Sequence, residues 1–256
     1  MNIKDRLLAL TGIDPEHLVY RMLPHFLMEV AGKYFRLEVE GLENIPRRGP
    51  ALICPNHSGF SGLDAFLLGH EVFKNTARVP RILTHHLWFL SPLTAIPAEK
   101  VGFIEASMSN GLAQLKKNNL VILFPEGEQG NFKPSSDAYQ LQEFKRGFVR
   151  MALLRQCPIV PTLVIGAEES HINLAQIKLA PPLSRFFGDL VLPVPLNVVP
   201  LPSKWKFKFL PPIQLPYQPA AVDDRDLVDE LATEIQDQMQ MVLNEEIAKR
   251  SSAFFD

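Results

Sequence analysis

The chain has 256 residues, 46% of them hydrophobic, and 26 Lys and Arg stand against 28 Asp and Glu for a formal net charge of −2. That length holds one large α/β domain or two small ones around a sizeable core, and the apolar-to-charged balance excludes a disordered or collagen-like chain. Cys54 and Cys157 lie far apart in apolar runs with no CxxC spacing, which argues against a disulfide scaffold or zinc ribbon and for a reducing compartment.

Met1–Leu10 carries Lys4, Asp5 and Arg6 and leads into no uninterrupted apolar stretch, so no secretory signal is expected. Residues 1–36 read as an amphipathic helical segment. Leu18, Val19, Met22, Phe26, Leu27, Val30 and Tyr34 recur at three- and four-residue steps, and Pro24 is expected to kink the run. Such a stripe suits a core face; its aromatic and Met content, with Arg21, Lys33 and Arg36 nearby, also suits a helix lying at a membrane interface. Next, Phe35–Glu40 alternates as a strand, 43–49 reads as a loop, Ala51–Cys54 as a short buried strand, Leu63–Val72 as a helix and Arg81–Thr84 as a strand.

The longest run free of Asp, Glu, Lys and Arg is Ile82–Ala98, 17 residues interrupted by His85, His86, Pro92 and Pro97. It falls short of the roughly 20 apolar residues that span a bilayer, so an integral membrane protein is not expected, whereas a membrane-surface one stays open. Further on, Ser107–Asn118 reads as a helix and Leu120–Phe124 as an apolar strand that stops at Pro125-Glu126-Gly127. Phe148–Arg155 reads as a helix and Ile159–Ile165 as a β-branched strand. Ten of the 22 prolines fall between Pro181 and Pro219, which marks irregular, extended chain. Trp205–Phe209 alternates Lys with aromatics as a half-exposed strand does, and Asp226–Ala248 closes the chain as a helix striped by Leu227, Leu231, Ile235, Val242 and Ile247. Strands alternating with helices indicate an α/β domain.

The small net charge conceals a segregation. Residues 223–256 hold ten acids and three bases, so the remainder is modestly basic. That is compatible with an anionic partner or with a solvated surface alone.

Signatures for dinucleotides, P-loop nucleotides, HExxH zinc sites and nucleophile elbows are absent from the sequence. Two places remain. His57 lies in the loop Cys54-Pro55-Asn56-His57-Ser58-Gly59-Phe60-Ser61-Gly62-Leu63-Asp64, directly after a buried strand. An imidazole there suits a general base at neutral pH, and a carboxylate within reach would fix its tautomer. On one continuous helix, residues 57 and 64 would be about 10 Å apart, so a His57–Asp64 pair requires that 58–62 loop out, which Gly59 and Gly62 permit. The spacing equally allows Asp64 to join Ser61 in a near-capping box and His57 to bond backbone.

The second place is Leu120–Gly130, where Glu126 is delivered at the end of an apolar strand. It suits either a contact to a polyol or a solvated turn. Lys133, Lys145, Arg146 and Arg150 follow as a basic set able to hold an anionic head group or simply to face solvent.

In this order and about 70 residues apart, the two places resemble the glycerolipid acyltransferase family of the 1-acylglycerol-3-phosphate type. Asn56-His57 and Asp64 resemble its Asn-His-x4-Asp motif, and Phe124-Pro125-Glu126-Gly127 resembles its Phe-Pro-Glu-Gly-Thr-Arg motif. Residues 101–107, 144–170 and 201–215 resemble further family blocks, so the likeness covers about Leu37 to Pro216. It implies a mixed, mostly parallel sheet flanked by helices, with N- and C-terminal amphipathic helices added. The segments would be 1–36, amphipathic and membrane-associating; 37–220, the acyltransferase-like α/β domain; and 221–256, an acidic C-terminal helix.

By the same resemblance, His57 deprotonates an acceptor hydroxyl that attacks an acyl-CoA or acyl-carrier-protein thioester, and Asp64 orients His57. Asn56, Glu126, Gly127, Lys133, Lys145 and Arg146 form the substrate-binding set. No metal, redox cofactor or nucleic acid is implied. The partners are the thioester, a glycerolipid acceptor and a membrane surface, at the cytoplasmic face of which the protein is peripheral. A non-catalytic lipid-binding protein and a thioesterase are the alternatives.

Two departures stand out. Six residues, not four, separate His57 from Asp64, and Glu128-Gln129 replaces the Thr-Arg that would grip a phosphate. The block at 101–107 also lacks its Arg. Either Lys133 or Arg146 substitutes, or the acceptor is not a phosphomonoester.

Overall fold

The structure, a computed structural model, describes residues 14–178 and 191–255. The expectations for 1–13 and for the prolines at 181 and 182 lie outside the described residues. A turn of α-helix at Pro15–His17 and a π-helical turn at Leu18–Met22 lead into helix α1 (Leu23–Tyr34). Pro24 does not break α1. It sits in the first turn, where its missing N–H would have no intrahelical partner, and the irregularity is the wider turn before it.

Strand β1 (Glu38–Glu40), β2 (Ala51–Pro55), helix α2 (Leu63–Thr76), β3 (Arg81–Thr84), α3 (Pro92–Lys100), β4 (Phe103–Glu105), α4 (Met108–Lys116) and β5 (Leu120–Ile122) follow. Then come the short α5 (Glu128–Asn131), α6 (Gly147–Arg155), β6 (Ile159–Ile165), the short α7 (Ala167–Ser170), β7 (Asn173–Lys178), β8 (Val191–Pro195), β9 (Lys206–Phe209) and the long α8 (Arg225–Lys249).

Seven strands form one sheet in the order β1-β9-β6-β2-β5-β3-β4. All neighbours are parallel except β6 and β9, so the sheet is mixed and mostly parallel. The central strands β2 and β6 are buried along their whole length, which is why they read as unbroken apolar runs and not as alternating ones. Side chains alternate across the sheet. Ala51 and Ile53 join Leu67, Leu68 and Val72 of α2 on one face. Leu52 and Cys54 join Phe148 and Val149 of α6 and Leu231, Ile235, Met239 and Leu243 of α8 on the other. Cys54 and Cys157 are free thiols within that second cluster.

The acidic C-terminal helix is therefore part of the core. Its Glu246 pairs with Lys206 and Lys208 of β9 at 2.7 and 2.8 Å, so the segregated charges of tail and body meet.

Two regions carry more regular structure than expected. Within the uncharged run, α3 starts at Pro92 with Ser91 Oγ accepting from Leu93 N–H at 3.2 Å, the polar cap and N-terminal proline of an ordinary helix start. In the proline-rich stretch, β8 accommodates Pro193 and Pro195 as an edge strand that pairs, among the described residues, with β7 alone.

Candidate active site

Both motifs stand at the carboxyl ends of neighbouring parallel strands, where α/β sheets place their crevices. In the β2–β5 ladder Ile53 pairs with Ile122, and the same register carried on brings His57 opposite Glu126. His57 N–H donates to Glu126 Oε1 at 2.9 Å, and Gln142 N–H donates to Oε2 at 2.7 Å. Glu126 is fully buried. Burial pushes its carboxyl above the usual range, opposed by the Lys133 charge and the two backbone donors. Both oxygens are thus spent on holding chain, and the carboxylate is not open to solvent.

Two glycines shape this turn. A Cβ on Gly130 would come within 2.6 Å of Glu126 Cβ. One on Gly127, whose φ is +58°, would come within 2.8 Å of Lys145 Nζ.

The His57–Asp64 interval does loop out. Gly59, Phe60 and Gly62 have φ of 84°, 26° and 74°, and α2 starts only at Leu63. Gly62, not Ser61, is the N-cap, and Asp64 bonds His57, Ser58 and Ala65 and forms no capping box with Ser61. His57 Nδ1 lies 2.6 Å from Asp64 Oδ2. The same oxygen accepts Ser58 N–H at 3.2 Å, and Oδ1 accepts Ala65 N–H at 2.8 Å. Asp64 is fully buried in the first turn of α2, an end that favours negative charge.

An ionised Asp64 accepts from Nδ1–H and leaves the lone pair on Nε2. Among the described residues nothing bonds Nε2, and the His57 side chain keeps 15% exposure. Phe124 stacks on the imidazole at 4.0 Å. Phe60 in this loop is also pinned: its N–H donates to Asn131 O at 3.2 Å, and its ring meets His171 edge-on at 4.7 Å.

The remaining expected residues fall into different places. Asn56 is fully buried, with its amide spent on the backbone of Val164 at 2.9 and 2.7 Å, so it joins β2 to β6 and does not face a substrate. Lys133 is buried against Glu168 at 2.7 Å and donates to Gln140 O. Arg146 is held by Asp229 and Glu143 and lines a separate cleft of about 390 Å³ with Arg150 and Arg225. Lys145 alone reaches over Gly127, and among the described residues it has no acid partner.

The acid at position 128 is paired too. Glu128 Oε1 lies 2.7 Å from His85 Nε2, while His85 Nδ1 accepts Leu87 N–H. With Nδ1 accepting, the ring donates to Glu128 from Nε2, and burial lowers its pKa against the opposing Glu128 charge.

Phe124 belongs to the second motif, but nothing in the sequence places its ring against His57. His85 shows there only as an interruption of an apolar run, and Glu168 and His171 carry no local signal. Glu168 and His171 border a polar cavity of about 10 Å³ beside Ser58, enough for about one water. Ser58 Oγ and both His171 ring nitrogens find no partner there among the described residues.

A sequence profile described as acyltransferase matches residues 36–165, more than half of the chain and inclusive of both motifs. The chain belongs to the glycerolipid acyltransferase family. It is an O-acyltransferase of the glycerolipid type. A plant relative, the 1-acyl-sn-glycerol-3-phosphate acyltransferase of Limnanthes alba, is 30% identical over 185 residues, 69% of this chain and 54% of that one. An uncharacterized protein of Mycobacterium tuberculosis is 35% identical over 258 residues, covering 95% of this chain and 70% of its own. The crystal structure of the 1-acyl-sn-glycerophosphate acyltransferase PlsC from Thermotoga maritima superposes with a TM-score of 0.61 at 16% identity, over 93% of this chain and 83% of that one, a likeness of fold. Among the described residues no helix is long and apolar enough to cross a membrane.

Proposed function

We propose that His57 is the general base of acyl transfer from an acyl thioester, acyl-CoA or acyl-carrier-protein, to a glycerolipid hydroxyl. The observation that carries this reading is the 2.6 Å His57–Asp64 contact with Nε2 turned away from it and unbonded. Nε2 takes the acceptor O–H proton as the oxygen attacks the thioester carbonyl. The tetrahedral intermediate expels the thiolate, and the imidazolium returns the proton to sulfur. Buried Asp64 stabilises the imidazolium, as a carboxylate partner does in other His-dependent acyl transfers.

Glu126 fixes the His57 backbone, and Gly127 with Lys145 contacts the acceptor. Among the described residues Lys145 has no acid partner, Glu128 is paired with His85, and Lys133 and Arg146 are engaged elsewhere. That balance favours a lysophospholipid or acylglycerol hydroxyl over a phosphomonoester dianion.

The donor's acyl chain and the acceptor are drawn from a bilayer surface in this reading. Leu18–Val30 and 88–96 both expose apolar residues, and Lys100, paired with Glu16 and lying over the Tyr20 ring, ties the two regions together. They form the peripheral membrane contact. The free buried thiols agree with the cytoplasmic side.

The test is transfer of a labelled acyl group by the full chain to a panel of lysophosphatidate, lysophospholipid and mono- and diacylglycerol, beside release to water. His57→Ala is expected to abolish transfer while the fold persists. Release to water unaffected by any acceptor would make the protein a thioesterase, and inertness towards every pair would make it a lipid-binding protein.

A further inference from the structure

Away from His57, three side chains outside the acyl-transfer chemistry converge where α1 packs on α2. His25 and Glu29 stand four residues apart on α1, and that spacing puts them on one face of the helix. His70 meets them from α2, six residues beyond Asp64. His70 Nε2 lies 3.1 Å from Glu29 Oε1, and the His25 and His70 rings are 4.6 Å apart. One ligand atom from each of the three lies within 4.8 Å of the others.

Nitrogen and oxygen ligands stand about 2.0–2.2 Å from zinc, so two of them on one tetrahedral ion are roughly 3.4 Å apart. The His70–Glu29 pair already meets that spacing, and a small turn of the exposed His25 ring brings the third donor in.

We propose that His25, Glu29 and His70 bind one divalent transition-metal ion of the zinc class, with water as the fourth ligand. Two imidazoles and a carboxylate suit zinc and its neighbours better than calcium or magnesium, which prefer oxygen alone. His70 is nearly buried and pre-positioned, while His25 closes the site from the solvent side.

Lys74 is the competitor. Its Nζ lies 2.9 Å from Glu29 Oε1 but only 3.6 Å from Glu71 Oε1, so an ion that takes Glu29 leaves Lys74 an acid to turn to. Bound there, the metal clips the helix bearing the exposed apolar stripe onto the helix that carries Asp64.

The experiment is titration of the EDTA-treated, dialysed full chain with ZnCl2 by calorimetry and with CoCl2 by visible absorption. One equivalent is expected to bind, with d–d bands of a low-symmetry site and a raised Tm. His25→Ala, an exposed change that leaves the fold intact, and Glu29→Gln are each expected to weaken binding beyond the roughly 10–100-fold cost of losing an outer-shell partner. Lys74→Met is expected to tighten it. Binding that survives both His25→Ala and Glu29→Gln, or the absence of saturable binding, overturns the assignment.

Discussion

The His57 N–H bond to Glu126 Oε1, 2.9 Å long, joins two motifs that the chain separates by a β3-to-α4 excursion. Because Gln142 N–H occupies the other oxygen, Glu126 works as a two-sided acceptor for backbone. Glu126→Gln keeps one acceptor but turns an NH2 group onto the other buried N–H, a mismatch that costs about 1–3 kcal/mol. The expected outcome is a folded protein whose kcat falls by about 100-fold, because a shift of roughly 1 Å in a catalytic group has that effect. Steady-state kinetics beside near-UV circular dichroism checks it, and wild-type kcat in a folded Glu126→Gln protein would sink the positioning role.

Asp64→Asn removes the charge and keeps the size. The amide can still face His57, but it no longer selects the Nδ1–H tautomer or stabilises the imidazolium, so kcat is expected to drop by about 10²–10⁴-fold. KM for the acceptor should change little, since Asp64 is buried behind His57. A loss that appears only in KM would instead make Asp64 part of acceptor binding.

How much of this was legible beforehand depends on how local each signal is. The β6 strand and the α8 helix were readable because buried parallel strands and amphipathic helices impose unbroken or periodic apolar patterns. The motifs were readable by their residue types and order. That Asp64 reaches His57 across six residues depended on positive φ at Gly59, Phe60 and Gly62, and only the two glycines advertise such freedom. The fates of Lys133 and Arg146 depended on Glu168 and Asp229, acids that lie far along the chain and come near only in the fold. The α3 helix was hidden by its two prolines, although one of them marks its start.

The buried Lys133–Glu168 pair behind Glu126 makes stability depend on pH. Burial pushes the Glu168 carboxyl up to about 7 against 4.5 for an ordinary glutamate, with Lys133 opposing the shift. Between those values the folded chain holds a proton that the unfolded chain has released, so stability falls as pH rises. The slope is about 1.4 kcal/mol per pH unit, and the loss is complete above the folded value. Glu168→Gln removes that slope, which shows in the difference between the two proteins' denaturant midpoints across the window. Parallel pH profiles for wild type and variant would mean that Lys133 keeps Glu168 ionised.

The exposed apolar residues beside the site carry the last prediction. Leu93 is 87% exposed and Trp88 49%, so a charge at either costs the fold little. Transferring one such side chain from water to an apolar phase is worth about 1.5–3 kcal/mol, so Trp88→Glu with Leu93→Glu should weaken membrane partitioning by at least about 100-fold. Flotation with vesicles measures that directly. Activity on a vesicle-borne acceptor should fall with it, while activity on a short-chain, water-soluble acceptor should hold, because neither residue touches His57 or Glu126 among the described contacts. Unchanged flotation by the double variant would remove this face from the membrane contact, and parallel loss on both acceptors would place the residues in the acyl-chain path.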